Sequence, residues 1–282
     1  MNRKTSESTK ANIKNRLKRK TKKLLFHTGL YKKGHFFNYY RVFDKTLNEP
    51  QKHSVHLGIL IVATNKYRVY VEPLISSLEE HFCQKNKKTY HIFTDQDIVL
   101  PGVHHRIFKI EHHPFPYPTL YRFHFFDRYM DQIEGQQLIY IDADSLISNT
   151  IGTEIIDKAV VVQHYWFYSK PGTFDGNNRS TAYVAHATGK NYYGGSFFSF
   201  NRNMFVNMTH TCKAMVDQDM ANNVMPLWHD ESVLNRYMLD HPPSRVLSPS
   251  YHFPQSQIKE AGSTPFHSKI LVIEKDSEAM RS

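Results

Sequence analysis

The hydrophobic pattern changes period several times along the chain, and each change marks an element. Residues 55–64 are nearly all apolar and rich in β-branched side chains, as in a strand buried on both faces. Apolar positions at Val69, Leu74, Ile75, Leu78 and Phe82 then predict a helix. Thr89-Tyr90-His91-Ile92-Phe93-Thr94-Asp95 predicts a second strand and residues 103–110 a third. Residues 119–130 read as a helix with Leu120, Phe123, Phe126 and Met130 on one side, and residues 232–239 as another. Leu138-Ile139-Tyr140-Ile141 is a short buried strand running directly into Asp142-Ala143-Asp144. Strands alternating with helices argue for an α/β protein with a mostly parallel central sheet. Ligands bind such sheets beyond the carboxyl ends of strands. Two segments sit there: Ala63-Thr64-Asn65 and Asp142-Ala143-Asp144.

Composition supports a packed core, with 19 Phe and 17 Tyr among 282 residues, and excludes a disordered chain. The formal charge is +10, but residues 1–24 hold ten Lys and Arg against the single acid Glu7, so the rest is close to neutral. The chain therefore divides into a basic tail and linker (1–54) and a globular body (55–282). In the tail Ile13, Leu17, Thr21, Leu24 and Leu25 lie near one helical face, surrounded by Lys and Arg. Such a segment is either a peripheral anchor to anionic membrane or a solvated tail. It lacks the interleaved aromatics of a nucleic-acid platform, so no nucleic-acid partner is expected. No apolar run is long enough to span a bilayer, and no apolar core follows the charged start. Cys83 and Cys212 do not make a disulfide framework. The expectation is a cytoplasmic protein without a transmembrane segment, in peripheral contact with the inner membrane face if the tail is an anchor.

Three segments carry candidate chemistry. Asp142 and Asp144, two residues apart on extended chain, point the same way and can share a hard cation, Mg²⁺ or Mn²⁺ rather than zinc; the alternative is an ordinary turn. Trp228-His229-Asp230-Glu231 precedes a helix, offering either acids that favour its dipole or a catalytic carboxylate behind an aromatic wall. In Tyr192-Tyr193-Gly194-Gly195-Ser196-Phe197-Phe198 the small residues admit either close ligand approach or a bend in a strand. Gly-rich phosphate loops, G-x-G-x-x-G, G-x-S-x-G and H-E-x-x-H are all absent from the sequence. His104-His105 and His112-His113 read as surface pairs.

Taken in order, these segments resemble glycosyltransferase family 6, the retaining α-1,3-galactosyl- and N-acetylgalactosaminyltransferases. Tyr90 to Asp95 is similar to the family's second strand, and Asp142-Ala143-Asp144 to its metal motif. Asn191 to Phe198 resembles its donor-sugar segment, and Leu227-Trp228-His229-Asp230-Glu231-Ser232 its signature. Val246-Leu247-Ser248-Pro249 follows at the family's distance, and Lys275 to Arg281 resembles its basic closing tail. The resemblance implies a GT-A-type nucleotide-sugar-binding fold and transfer from UDP-galactose or UDP-N-acetylgalactosamine to a glycan, expected to be a galactoside. It implies that Val62, Ala63, Thr64 and Tyr67 hold uracil and ribose, that Asp142 and Asp144 bind Mn²⁺, and that Ala143 and Arg122 contact the donor. Gly194, Gly195 and Ser196 would line the sugar's C2 region, and Lys275 and Arg281 would close over the diphosphate. His164, Trp228, Asp230 and Glu231 would form the acceptor and reaction centre, with Glu231 as the catalytic carboxylate. Pro254 stands where the family has an acidic residue. With both metal aspartates present and no anchor, the chain is expected to be a metal-dependent, bacterial-type member.

Overall fold

The computed structural model describes residues 42–43, 47, 54–168, 170–185, 191–260, 266–276 and 279–280; the basic segment 1–24 and Arg281 lie outside the described residues. The strands are β1 (Val42–Phe43), β2 (Leu57–Val62), β3 (Lys88–Thr94), β4 (His105–Lys109), β5 (Gln137–Ile141), β6 (Ser145–Ile147), β7 (Ala159–Gln163), β8 (Tyr193–Asn201), β9 (Arg245–Leu247), β10 (Phe253–Pro254) and β11 (Ile270–Val272). The helices are α1 (Val71–His81), α2 (Tyr117–Leu120), α3 (Arg122–Tyr129), α4 (Arg202–Ala221) and α5 (His229–Asp240). Eight strands form the central sheet in the order β1-β9-β7-β8-β5-β2-β3-β4, and β10, β11 and β6 form a small second sheet.

Alternation along the central strands sorts side chains into two cores. Leu57, Ile59 and Ile61 of β2 join Ile139 and Ile141 of β5 on one face, against Leu74, Ile75 and Leu78 of α1. Leu60, Leu138 and Tyr140 point to the other, against Phe123 and Phe126 of α3, Phe205 of α4 and Val233 of α5. A sheet covered on both faces explains why these strands read as continuous apolar runs. Each fully buried Leu or Ile contributes about 1.5–3 kcal/mol relative to exposure.

The mixed α/β architecture agrees with the expected GT-A-type class, with three local differences. β8 runs antiparallel to both β5 and β7. Among its described residues the link from β7 to β8 holds a short 3-10 turn and no helical crossover of the kind that parallel neighbours need. The helix expected over 119–130 is broken at Tyr121 into α2 and α3. Finally, Val42–Phe43 pairs with β9, and the Leu47 amide donates to Glu154 Oε2 at 2.8 Å, so the sheet recruits chain from before residue 55. Both cysteines are free and buried. Among the described residues no helix is long and apolar enough to cross a membrane.

Candidate active site

β2 and β5 are parallel neighbours, with Leu57 opposite Gln137 and Leu60 opposite Tyr140. Two carboxyl ends about 80 residues apart in sequence therefore open side by side onto one cleft of about 170 Å³. Val62, Thr64 and Tyr67 line it from the β2 side, Asp142, Ala143 and Asp144 from the β5 side, and Lys275 from the C-terminal segment. Ala63 is buried behind Thr64, its amide bonded to the Phe93 carbonyl at 2.9 Å. The chain turns at Asn65, whose φ of 51° lies in the left-handed region that Asn tolerates. Asp95 Oδ1 accepts from the Asn65 amide at 2.9 Å and holds that turn.

The carboxylates at the β5 end have different partners. The Tyr140 hydroxyl donates to Asp142, whose side chain remains 31% exposed. Asp144 is ion-paired with the Lys275 ammonium, which also lies 4.9 Å over the Tyr67 ring. The C-terminal segment is held against the cleft again where Lys66 Nζ donates to the Ala279 carbonyl at 2.7 Å.

Arg122 lies beneath the cleft rather than in it. Its guanidinium is stacked 4.2 Å over Tyr140 and donates to the Gly195 carbonyl at 2.9 Å, with Asp230 at 3.0 Å and Asp142 at 3.6 Å. Burial opposes its charge, but Asp230, Tyr140, Asp142 and Glu231 outweigh that and keep it protonated. It thus ties the Asp142 loop, β8 and the start of α5 into one block.

α5 begins at His229, three residues before the expected helix, with His229 at φ 52° and its ring against Phe115. The next two side chains diverge, as the rotation of about 100° per residue in a helix requires. Asp230 turns inward to Arg122, while Glu231 accepts the Gly195 amide through Oε2 at 2.7 Å. Burial pushes the Asp230 carboxyl up to about 6 despite the Arg122 charge. Burial likewise pushes Glu231 up to about 7, against the pull of the Gly195 amide and the Tyr192 hydroxyl. Gly195 is small for a reason: a Cβ there would lie 3.2 Å from Asp230 Oδ2 and 3.3 Å from Glu231 Cβ. Asn235 locks this junction by pairing with both backbone groups of Tyr193, each at 2.8 Å.

The remaining expected residues surround this centre. Ser196 extends β8 beside Asp142, whose amide donates to its carbonyl at 2.9 Å; the Ser196 hydroxyl is buried without a partner among the described residues. His164 packs edge-on against Tyr192, and its amide donates to the Tyr192 carbonyl at 3.0 Å. Trp228 is half-exposed, its indole N–H donating to Thr173 Oγ1 at 2.9 Å. Gly194 faces the imidazole of His252. Pro254 forms part of β10, next to β11. His112 is exposed, as expected of a surface residue, but it also lines the cleft, a role that sequence reading did not give it, with its Nδ1 3.1 Å from Thr64 Oγ1. Sequence reading missed His252, which the Ser-Pro-x-Tyr segment could have flagged.

Comparison with known proteins finds similar chains. The chain is 28% identical to histo-blood group ABO system transferase 1 of Rattus norvegicus over 223 residues, 74% of this chain and 64% of that protein. It is 29% identical to human globoside α-1,3-N-acetylgalactosaminyltransferase 1 over 208 residues, 69% of this chain and 60% of that protein. It thus spans somewhat less than two thirds of these two relatives. With the O-antigen biosynthesis glycosyltransferase WbnI of Escherichia coli it shares 23% identity over 231 residues, 79% of this chain and 96% of that protein. The sequence profile of glycosyltransferase family 6 matches residues 39–282, a span that takes in β1, both strand ends of the cleft and the C-terminal segment. An Asp-x-Asp strand end on the cleft, tied through Arg122 to a Gly-Gly strand and a Trp-His-Asp-Glu helix start, lies within a family match of that length, and the chain belongs to glycosyltransferase family 6.

Proposed function

We infer that the protein is a retaining hexosyltransferase that moves galactose or N-acetylgalactosamine from a UDP-sugar to a glycan hydroxyl in α-1,3 linkage, with a divalent cation, Mn²⁺ or Mg²⁺, as cofactor. The observation that carries this reading is the convergence of Asp142, Asp144 and Lys275 on one cleft, joined through Arg122 and Gly195 to the Glu231 carboxylate.

The residues present fit a hard cation. Asp142 keeps an exposed carboxylate at the cleft, and Asp144 already holds a cation, the Lys275 ammonium. Asp142 and Asp144 would hold the ion through their carboxylate oxygens. When bound, the metal supplies Lewis-acid stabilisation of the negative charge on the departing diphosphate. Lys275 adds a positive charge at the same place. Protonation of the leaving group by a carboxylic acid is then unnecessary, in contrast to glycosidases. Glu231, fixed by the Gly195 amide, offers its carboxylate to the anomeric carbon. It serves either as nucleophile or as the counter-charge to an oxocarbenium-like centre. Trp228 and His164 give the acceptor an aromatic wall, and the N-acetylgalactosaminyltransferase name of the human relative supports one of the two donor sugars.

The test is transfer and hydrolysis of UDP-galactose, UDP-N-acetylgalactosamine and UDP-glucose, with a galactoside acceptor, with Mn²⁺ and in chelator. Turnover of one of the first two with the metal, and none without it, is expected. Binding of UDP with no turnover of any donor would instead favour a non-catalytic nucleotide-sugar-binding protein. The charge of residues 1–24 supports peripheral contact with anionic membrane. Deleting them is expected to weaken binding to anionic vesicles at low salt and to leave turnover on a soluble acceptor unchanged. Vesicle binding equal in both forms would refute the contact.

A further inference from the structure

His252 stands in the place of a side chain that residue 194 lacks. A Cβ built on Gly194 would lie 2.0 Å from His252 Nδ1, so the imidazole presses on the backbone of β8 and only glycine admits it. The ring is presented on a fixed turn. Ser248 caps the 3-10 turn Pro249–Tyr251, the His252 amide donates to the Pro249 carbonyl at 3.0 Å, and the Tyr251 hydroxyl is bonded to buried Glu154 at 2.8 Å. A ring held this firmly usually satisfies its nitrogens, yet Nδ1 is buried and without a hydrogen-bond partner among the described residues. His164 does not serve it: the two rings meet edge to face at 4.7 Å, and His164 Nδ1 already accepts from the Trp166 amide.

The surroundings say what Nδ1 is for. On one side the next residue, Gly195, gives its amide to Glu231. On the other, Asp142 is near enough to act electrostatically on the imidazole. Gly194, on which the imidazole packs, belongs to the segment expected to line the donor sugar, and the residue after it meets Glu231. We propose that His252 is a specificity residue that hydrogen-bonds a hydroxyl or amide of the hexose being transferred. The inference rests on the transferase reading above. A neutral imidazole suits the task, because it can donate or accept according to tautomer and thus meets a hydroxyl in either sense.

The experiment compares wild type, His252→Phe and His252→Gln in kcat/KM for the preferred UDP-hexose and, in parallel, in affinity for UDP with Mn²⁺. UDP lacks the hexose, so its affinity reports the fold and the metal–diphosphate site alone. His252→Phe is expected to lower kcat/KM about tenfold, the scale of one hydrogen bond, with UDP affinity unchanged. His252→Gln, which keeps a hydrogen-bonding group, is expected to recover most of that loss. Gly194→Ala, which displaces the ring, is expected to reproduce the effect of His252→Phe. Equal kcat/KM for wild type and His252→Phe would overturn the role of His252 and leave the transferase reading standing. So would a matching loss of UDP affinity, since the residue would then be structural. A wild type that binds UDP but turns over no UDP-hexose would overturn both.

Discussion

Glu231→Gln is expected to lower kcat by about 10²-fold or more while UDP affinity with Mn²⁺ stays near wild type. The substitution keeps the size of the side chain and an oxygen that can still accept the Gly195 amide, now 2.7 Å from Glu231 Oε2. What it removes is the negative charge that would face a developing oxocarbenium centre, and losing one such preorganised partner costs on this scale. A group that acts on the transition state lowers kcat without a matching loss of ground-state binding. If Glu231 only favoured the N-terminus of α5, the variant would lose about 0.3–1 kcal/mol of stability and keep its rate. Measuring kcat, UDP affinity and Tm on one variant separates the two. The pH profile gives a second check. Burial holds Glu231 up to about 7, so the ionised fraction falls as pH drops through neutrality. A rate that needs the carboxylate must therefore decline on the acid side of about pH 7, and that limb should vanish in Glu231→Gln. Persistence of the limb in the variant would assign it to another group.

Asp142→Ala is expected to abolish metal-dependent turnover, with a loss of at least about 100-fold, and to weaken UDP binding in the presence of Mn²⁺ while leaving metal-free UDP binding less affected. Folding should survive the change. Buried Arg122 keeps Asp230 at 3.0 Å and the Gly195 carbonyl at 2.9 Å, so its charge is not left alone in the interior. Asp144→Ala should have the same kinetic effect and in addition release Lys275, whose ammonium pairs with Asp144. Titration of Mn²⁺ into the wild type and both variants reads the metal site without relying on activity. Full activity of Asp142→Ala in chelator would remove the metal from the mechanism.

Much of this molecule could be read locally. The change between a two-residue and a 3.6-residue period marked β2, β3, β5 and α1 at nearly their observed places, because sheet faces and helix stripes bury residues a few positions apart. Asp142 and Asp144 could be singled out because a fully apolar strand ends directly on them. The divergence of Asp230 and Glu231 likewise followed from adjacency at a helix start. The direction of β8 was not legible, because an extended apolar run looks the same whichever way its neighbours run.

What the sequence by itself determined is therefore the set of elements and the residue types that carry chemistry at their ends. Tertiary structure alone decided which of those ends meet. It brought Thr64 next to His112, Asp144 next to Lys275, and Gly194 against His252. It also made Arg122 a tie between Asp142, Asp230 and Gly195. Periodicity reports the faces of one element, whereas each of these contacts joins residues from different parts of the chain, 20 or more positions apart. Their meeting depends on strand order and on the close approach that glycine permits, and neither leaves a repeating mark along the chain.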